Sequence, residues 1–254
     1  MNLQKLQFDL FDDRYEIIER VSVKARNIRI EIRSPREVQL IIPRYVSKTA
    51  ARAFLQERES WVRQKIAELK QRLGDAPLDS QKFNWDGRDR LPLRGVEMPI
   101  GVESASLRSI NVRLEPQGIT LFCPSAQRGE SAKLEQSLRK MLQHQARLDA
   151  ERLLQEEALR LGLRYGELRI ADQKSLWGSC AVGGNISLSW RLVMAPPMVF
   201  RYVVIHELCH IRHHDHSDNF WALVAQQMSE FETHRRWLKE NGQRLHLYLA
   251  HRGS

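Results

Sequence analysis

Residues 202–216, YVVIHELCHIRHHDH, hold five of the nine histidines in the chain. The stretch contains H-E-x-x-H, with His206, Glu207 and His210 in the three defined positions. An apolar run precedes it, and Pro196 with Pro197 stands where a helix can begin, so the segment predicts a buried helix. On a helix His206 and His210 lie one turn apart on one face. Two imidazole nitrogens then reach a single ion, and Zn2+ is the metal that this spacing suits. Glu207, beside the first ligand, is the expected general base. A bound metal acidifies water, and a neighbouring carboxylate takes the proton.

A third ligand is required, and the helix itself limits the choice. His214 continues the i, i+4 stripe, but eight residues at 1.5 Å each carry it about 12 Å along the axis from His206. The chain must bend before the third ligand. Ser217 is a candidate cap for a new helix through Phe220 and Trp221, which leaves His216 on the connecting turn, free to point back. His216 is therefore the expected third ligand, ahead of His213 and His214. Glu230 or Glu232 from the following helix is the other option.

Outward from this segment the chain reads as mixed α and β. Residues 28–32 alternate, residues 34–36 form a turn, and residues 38–42 return as a strand. Ser47 caps a predicted helix whose apolar positions run from Ala51 through Leu55, Trp61, Val62 and Ile66 to Leu73, with Gly74 ending it. Residues 75–84 read as a linker. Leu91–Leu93 and Met98–Val102 form a hairpin about Arg94-Gly95, and Ile110–Leu114 and Ile119–Cys123 another about Pro116 and Gly118. Residues 131–161 are helical, as one helix or two, with Leu134, Leu138, Met141, Leu142 and Leu148 on one stripe. The expected class is α+β, divided at residues 1–80 and 81–254.

The formal charge of +9 is local. Residues 20–72 hold fourteen Lys/Arg and five Asp/Glu, which accounts for the whole excess and leaves the remainder neutral. A basic face attracts phosphate or acidic protein, so nucleic acid is a possible partner of this region. Cys123, Cys180 and Cys209 are dispersed and form no disulfide framework. Residues 1–15 lack an apolar core and do not read as a signal peptide, and no window is apolar enough to span a bilayer. A cytoplasmic, membrane-free protein is expected. Cys180 reads as a packed residue rather than a nucleophile, Tyr202 as packed rather than an oxyanion donor, and Trp177, Trp190, Trp221 and Trp237 as core.

From Asp172 to Gly242 the sequence resembles the YgjP-like metallopeptidases, relatives of the SprT-like zinc proteases. The matching segments are Trp177–Cys180, Gly184–Leu192, Ala195–Pro197, Tyr202–His210, His216-Ser217 with Phe220-Trp221, and Trp237–Gly242. The resemblance implies a zincin-like catalytic domain with zinc on His206, His210 and His216. It implies Glu207 as base, and Trp177, Gly178, Ser179 and Cys180 along the cleft as substrate-binding residues. Leu176 and Ser189 depart from the family pattern, which commonly has a basic residue and Asn there. Peptide hydrolysis is the first expectation. Some members of the family are described as UTP pyrophosphatases, which makes a nucleoside triphosphate the alternative substrate. A DNA-associated protease of the SprT-like kind is the third reading.

Overall fold

A computed structural model describes residues 5–7, 15–34, 37–73, 83–173 and 176–249. Pro35 and Arg36 of the expected turn, Gly74, and residues 75–82 of the expected linker lie outside them. The chain divides into two compact units, Met1–Ser80 and Gln81–Ser254.

The first unit holds β1 (Lys5–Gln7), β2 (Glu16–Ser22), β3 (Arg29–Ser34), β4 (Glu37–Pro43), α1 (Lys48–Glu57) and α2 (Glu59–Leu73). The expected β3–β4 hairpin is present, but β2 lies parallel to β4 on its other side, in the order β1-β2-β4-β3. Ile17, Val38, Leu40 and Ile42 of the sheet meet Ala51, Leu55, Val62 and Ile66 of the helices in one buried cluster. Glu19 is buried as well, and Arg52 donates to its carboxylate at 2.6 Å, with the Lys48 ammonium at 3.6 Å. The Arg52 hydrogen bond holds the Glu19 carboxyl below the usual range although burial opposes it. A charge in the middle of the inward face hides the strand period of β2, so the sequence pattern does not announce this strand.

The single predicted helix is two. The chain leaves helical dihedrals at Arg58 (φ −99°, ψ 10°) and re-enters at once. Ser47 caps α1 as expected, its Oγ accepting from the Ala50 N–H at 3.1 Å. Trp61, expected on the apolar stripe, is exposed.

The second unit opens with β5 (Arg90–Leu93), β6 (Val96–Ser104), β7 (Asn111–Glu115) and β8 (Gly118–Cys123). Their order is β5-β6-β8-β7, two hairpins joined through the parallel pair β6 and β8. Positive φ at both Arg94 and Gly95 gives the two-residue turn that suits strand twist. The turn docks by backbone hydrogen bonds from Arg94 N to Val193 O and from Gly95 N to Met194 O.

Next come α3 (Ser131–Leu161), β9 (Leu168–Ala171), β10 (Gly178–Cys180) and β11 (Ile186–Ser189). A buried 3-10 turn over Trp190–Met194 leads to α4 (Pro197–Cys209), α5 (Asp218–Gln227) and α6 (Phe231–Leu247). Residues 131–161 thus form one helix, closed by Gly162 in the left-handed region (φ 62°). Its first half, with Leu134, Leu138 and Leu142, packs in the core of the β5–β8 sheet. Its second half, with Ala150 and Leu154, packs in a second core with Leu188, Val204, Leu208 and Phe220. Leu148, expected on the stripe, is exposed at the change between the two cores.

In the second core a three-stranded sheet, ordered β10-β11-β9, lies against α4. The architecture is α+β and zincin-like, with the H-E-x-x-H helix packed on a small sheet.

Candidate metal centre

Pro196 takes the cap position of α4 in extended conformation and Pro197 the first helical position, where a missing N–H costs nothing. The helix is apolar on most sides because it is buried on most sides. It ends at Cys209, with His210 as the cap residue. Ile211 N bonds Leu208 O, and the N–H groups of Arg212 and His213 both reach Cys209 O, closing a tight turn. Ser217 occupies the cap position of α5, but its side chain makes no capping bond. Its hydroxyl and N–H turn to Asp215 instead, holding that carboxyl below its usual range.

The turn brings His216 back over the end of α4. The ligand-capable atoms of His206, His210 and His216 all lie within 4.8 Å of one another. His206 Nε2 and His216 Nε2 are 3.1 Å apart. Metal–nitrogen bonds of 2.0–2.1 Å in a tetrahedron place nitrogens about 3.3–3.4 Å from one another, so this donor set fits a small tetrahedral ion. Three imidazoles favour Zn2+ and its neighbours over Mg2+ or Ca2+, which take oxygen. The His210 ring contacts the His213 carbonyl through Nδ1 at 2.9 Å. A carbonyl only accepts, so Nδ1 carries the hydrogen and Nε2 keeps its lone pair for a metal.

Aromatic rings brace the cluster. Phe220 stacks on His210 (4.4 Å between centroids, 23°), and Trp221 on His216 (5.5 Å, 24°). Trp221 in turn stacks on Phe231 (5.6 Å) and carries the Arg235 guanidinium 4.4 Å from its ring. Trp221 was expected as core. It packs against the second core and is also a wall of the histidine cluster, and its place five residues after His216, on the first turn of the next helix, is the signal for this role.

Burial and the two neighbouring imidazoles push His206 down to about 3, and burial first among several causes lowers His210 too. Both rings are thus neutral, the form that binds metal. Glu207 is 4% exposed and burial pushes its carboxyl up to about 8. A cation at the triad opposes that shift.

The other expected residues fall as follows. Trp177 is partly buried and belongs to both cores, Gly178–Cys180 form the edge strand β10 beside α4, and burial raises the Cys180 thiol. Trp190 is fully buried and Trp237 partly so. Tyr202 packs edge-on against His206 at 5.9 Å, and burial pushes its phenol up to about 12. Among the described residues His213, His214, Glu230 and Glu232 do not join the cluster. Leu176 is exposed, whereas Ser189 is fully buried and so cannot face a cleft.

The model of the YgjP-like metallopeptidase domain matches residues 26–241. We found no match among curated proteins. Among solved structures, the crystal structure of the metallopeptidase zymogen of Pyrococcus abyssi abylysin matches at 26% identity, covering 35% of this chain and 93% of that chain with a TM-score of 0.31. No helix among the described residues is long and apolar enough to cross a membrane. With the family match spanning most of its length, the chain belongs to the YgjP-like metallopeptidase family.

Proposed function

We propose that this chain is a zinc-dependent peptidase in which His206, His210 and His216 hold the metal and Glu207 is the general base. Residues 81–254 form its catalytic domain, and peptide or protein is its substrate. The observation that carries the reading is the convergence of three imidazoles within 4.8 Å beside a buried glutamate. A bound Zn2+ supplies Lewis acidity, which acidifies water and polarises the scissile carbonyl. Glu207 accepts the proton of the attacking water and delivers it to the leaving nitrogen. The His213 carbonyl fixes the His210 tautomer, and Trp221 and Phe220 keep the rings of His216 and His210 in place. Gly178, Ser179 and Cys180, on an edge strand, are the proposed rim for the substrate. Triphosphate hydrolysis has no feature of this donor set in its favour, since phosphate chemistry recruits hard oxygen ligands; DNA-associated proteolysis would use the same donor set and differ only in what brings the substrate.

The test compares wild type with Glu207→Gln and with the double variant His206→Ala, His210→Ala. Each is assayed for bound zinc and for cleavage of a peptide library and of nucleoside triphosphates. Glu207→Gln retains zinc and loses at least about 100-fold in peptide cleavage, and the double variant loses the metal. Equal cleavage by wild type and Glu207→Gln overturns the base assignment, and zinc retained by the double variant overturns the ligand set.

A further inference from the structure

Gly178 is one residue of β10 whose type its own backbone does not demand. Its φ lies outside the left-handed region, and a strand accepts any side chain there. What excludes a side chain is Glu207. A Cβ placed on Gly178 would lie 2.7 Å from Glu207 Cγ and 2.8 Å from Cδ, and closer still to Oε1. These are not the ends of a flexible surface chain, because Glu207 is 4% exposed on the buried side of α4. Among the described residues no hydrogen bond holds the Glu207 carboxylate. Its place is set by what it packs against, and the backbone of Gly178 is that wall.

The strand is itself held from the far side. Gly242 of α6 approaches Trp177 so closely that a Cβ would lie 2.7 Å from the indole Cζ2. His246, one turn later, lies 4.8 Å from the same ring. Glycine inside a helix costs about 1 kcal/mol relative to alanine, so its presence in α6 matches a need for close approach. Along β10, Gly178 pairs with Leu188 of β11, and Ser189 N bonds Trp177 O. The residues Gly242, Trp177, Gly178 and Glu207 thus form a continuous line of close approaches from α6 to the carboxylate.

We propose that Gly178 is a positioning residue for Glu207: the missing side chain is the seat of the base, and the Gly242–Trp177 contact holds that seat in place. The inference rests on the proposed role of Glu207 for its effect on catalysis, but the seat is a packing statement that metal-free protein tests.

The experiment is a cycle of wild type, Gly178→Ala, Glu207→Ala and the double variant, with Gly183→Ala as control. Gly183 lies near β10 and has open space where a Cβ would go. In metal-free protein Gly178→Ala lowers the Tm by several degrees, the effect of overpacking. In the Glu207→Ala background the same substitution leaves the Tm unchanged, because the group it strikes is gone, and Gly183→Ala leaves it unchanged in wild type. Should Gly178→Ala fail to fold, recovery of folding in the double variant carries the same information. In zinc-loaded protein Gly178→Ala keeps its metal content and loses at least about 100-fold in kcat, with KM changed about threefold or less. An equal Tm loss in both backgrounds overturns the proposal, and so does a kcat within a few-fold of wild type. Activity retained by Glu207→Gln would remove the base assignment alone, since the metal-free cycle does not depend on it.

Discussion

Glu157 offers a stability prediction that the geometry makes quantitative. It sits on α3 with 1% of its side chain exposed, and two arginines reach it. Arg160 donates twice to Oε2, at 2.6 and 2.8 Å, and Arg201 of α4 meets Oε1 at 2.5 Å. Arg160 also bonds the side chain and the carbonyl of Gln227 at the end of α5. One carboxylate therefore joins three helices, including the one that carries the histidines. The two arginine side chains are 43% and 36% exposed and border a cleft of about 380 Å³, so water reaches them when the carboxylate goes. Glu157→Gln should then cost about 2–3 kcal/mol, below the 3–5 kcal/mol typical of stranding a buried charge. Removing both arginines takes both partners from a carboxylate that is 1% exposed in the fold and should cost about 3–5 kcal/mol. For a unit of this size the glutamine variant loses about 4–12 °C in Tm. Urea unfolding of wild type, Glu157→Gln and Arg160→Ala/Arg201→Ala measures both values. A Glu157→Gln variant within about 0.5 kcal/mol of wild type, or an arginine pair cheaper to lose than the glutamate charge, refutes the reasoning.

Two further outcomes follow from the site's surroundings. Burial, with Arg191 adding to it and Asp172 opposing, holds His246 at about 4, below its ordinary value. Above pH 6.5 the ring is neutral folded or unfolded and costs nothing; as pH falls from there toward 4 the unfolded chain takes a proton that the fold refuses. That loss is about 2 kcal/mol between pH 7 and 5. It should disappear from the pH dependence of urea unfolding in His246→Gln, and an unchanged dependence refutes it. Trp221→Ala removes the ring stacked on His216 and should weaken zinc affinity by about 10–100-fold in a chelator competition. Unaltered affinity would show that the turn alone places the third ligand.

The sequence was most readable where a local rule acts alone. H-E-x-x-H, the paired prolines before it and the rise of a helix lead to His206, His210 and His216 without any tertiary information. Turn chemistry at Arg94-Gly95 and at Pro116-Gln117 places two hairpins correctly. Distant pairing was not readable. β2 joins β4, and β9 joins β11, as parallel neighbours far apart in sequence, and the inward-facing Glu19 erased the period of β2. The break at Arg58 has no glycine or proline to announce it. The continuity of α3 was hidden for a different reason. Its buried stripe shifts as it passes from one core to the next, while i, i+4 pairs such as Arg147–Glu151 and Arg152–Glu156 keep its outer face helical. Gly178 was legible only as part of a family-like segment, because a close approach between a strand and a helix leaves no local pattern.

One hydrogen bond ties the candidate metal centre to the end of its helix. Nothing in residues 210–214 forbids further helix, for the stretch has neither proline nor glycine, and a straight continuation would carry His214 out of reach of the ion. The chain turns instead, and the His210 Nδ1–H meets the His213 carbonyl inside that turn. The same contact does two things. It selects the tautomer that leaves His210 Nε2 free, and it fastens the bend that returns His216 to within 3.1 Å of His206. Ligand orientation and ligand convergence are therefore not independent features here. The site also forms at the C-terminal end of α4, the negative pole of the helix dipole, so the backbone favours a cation at the place to which the side chains converge.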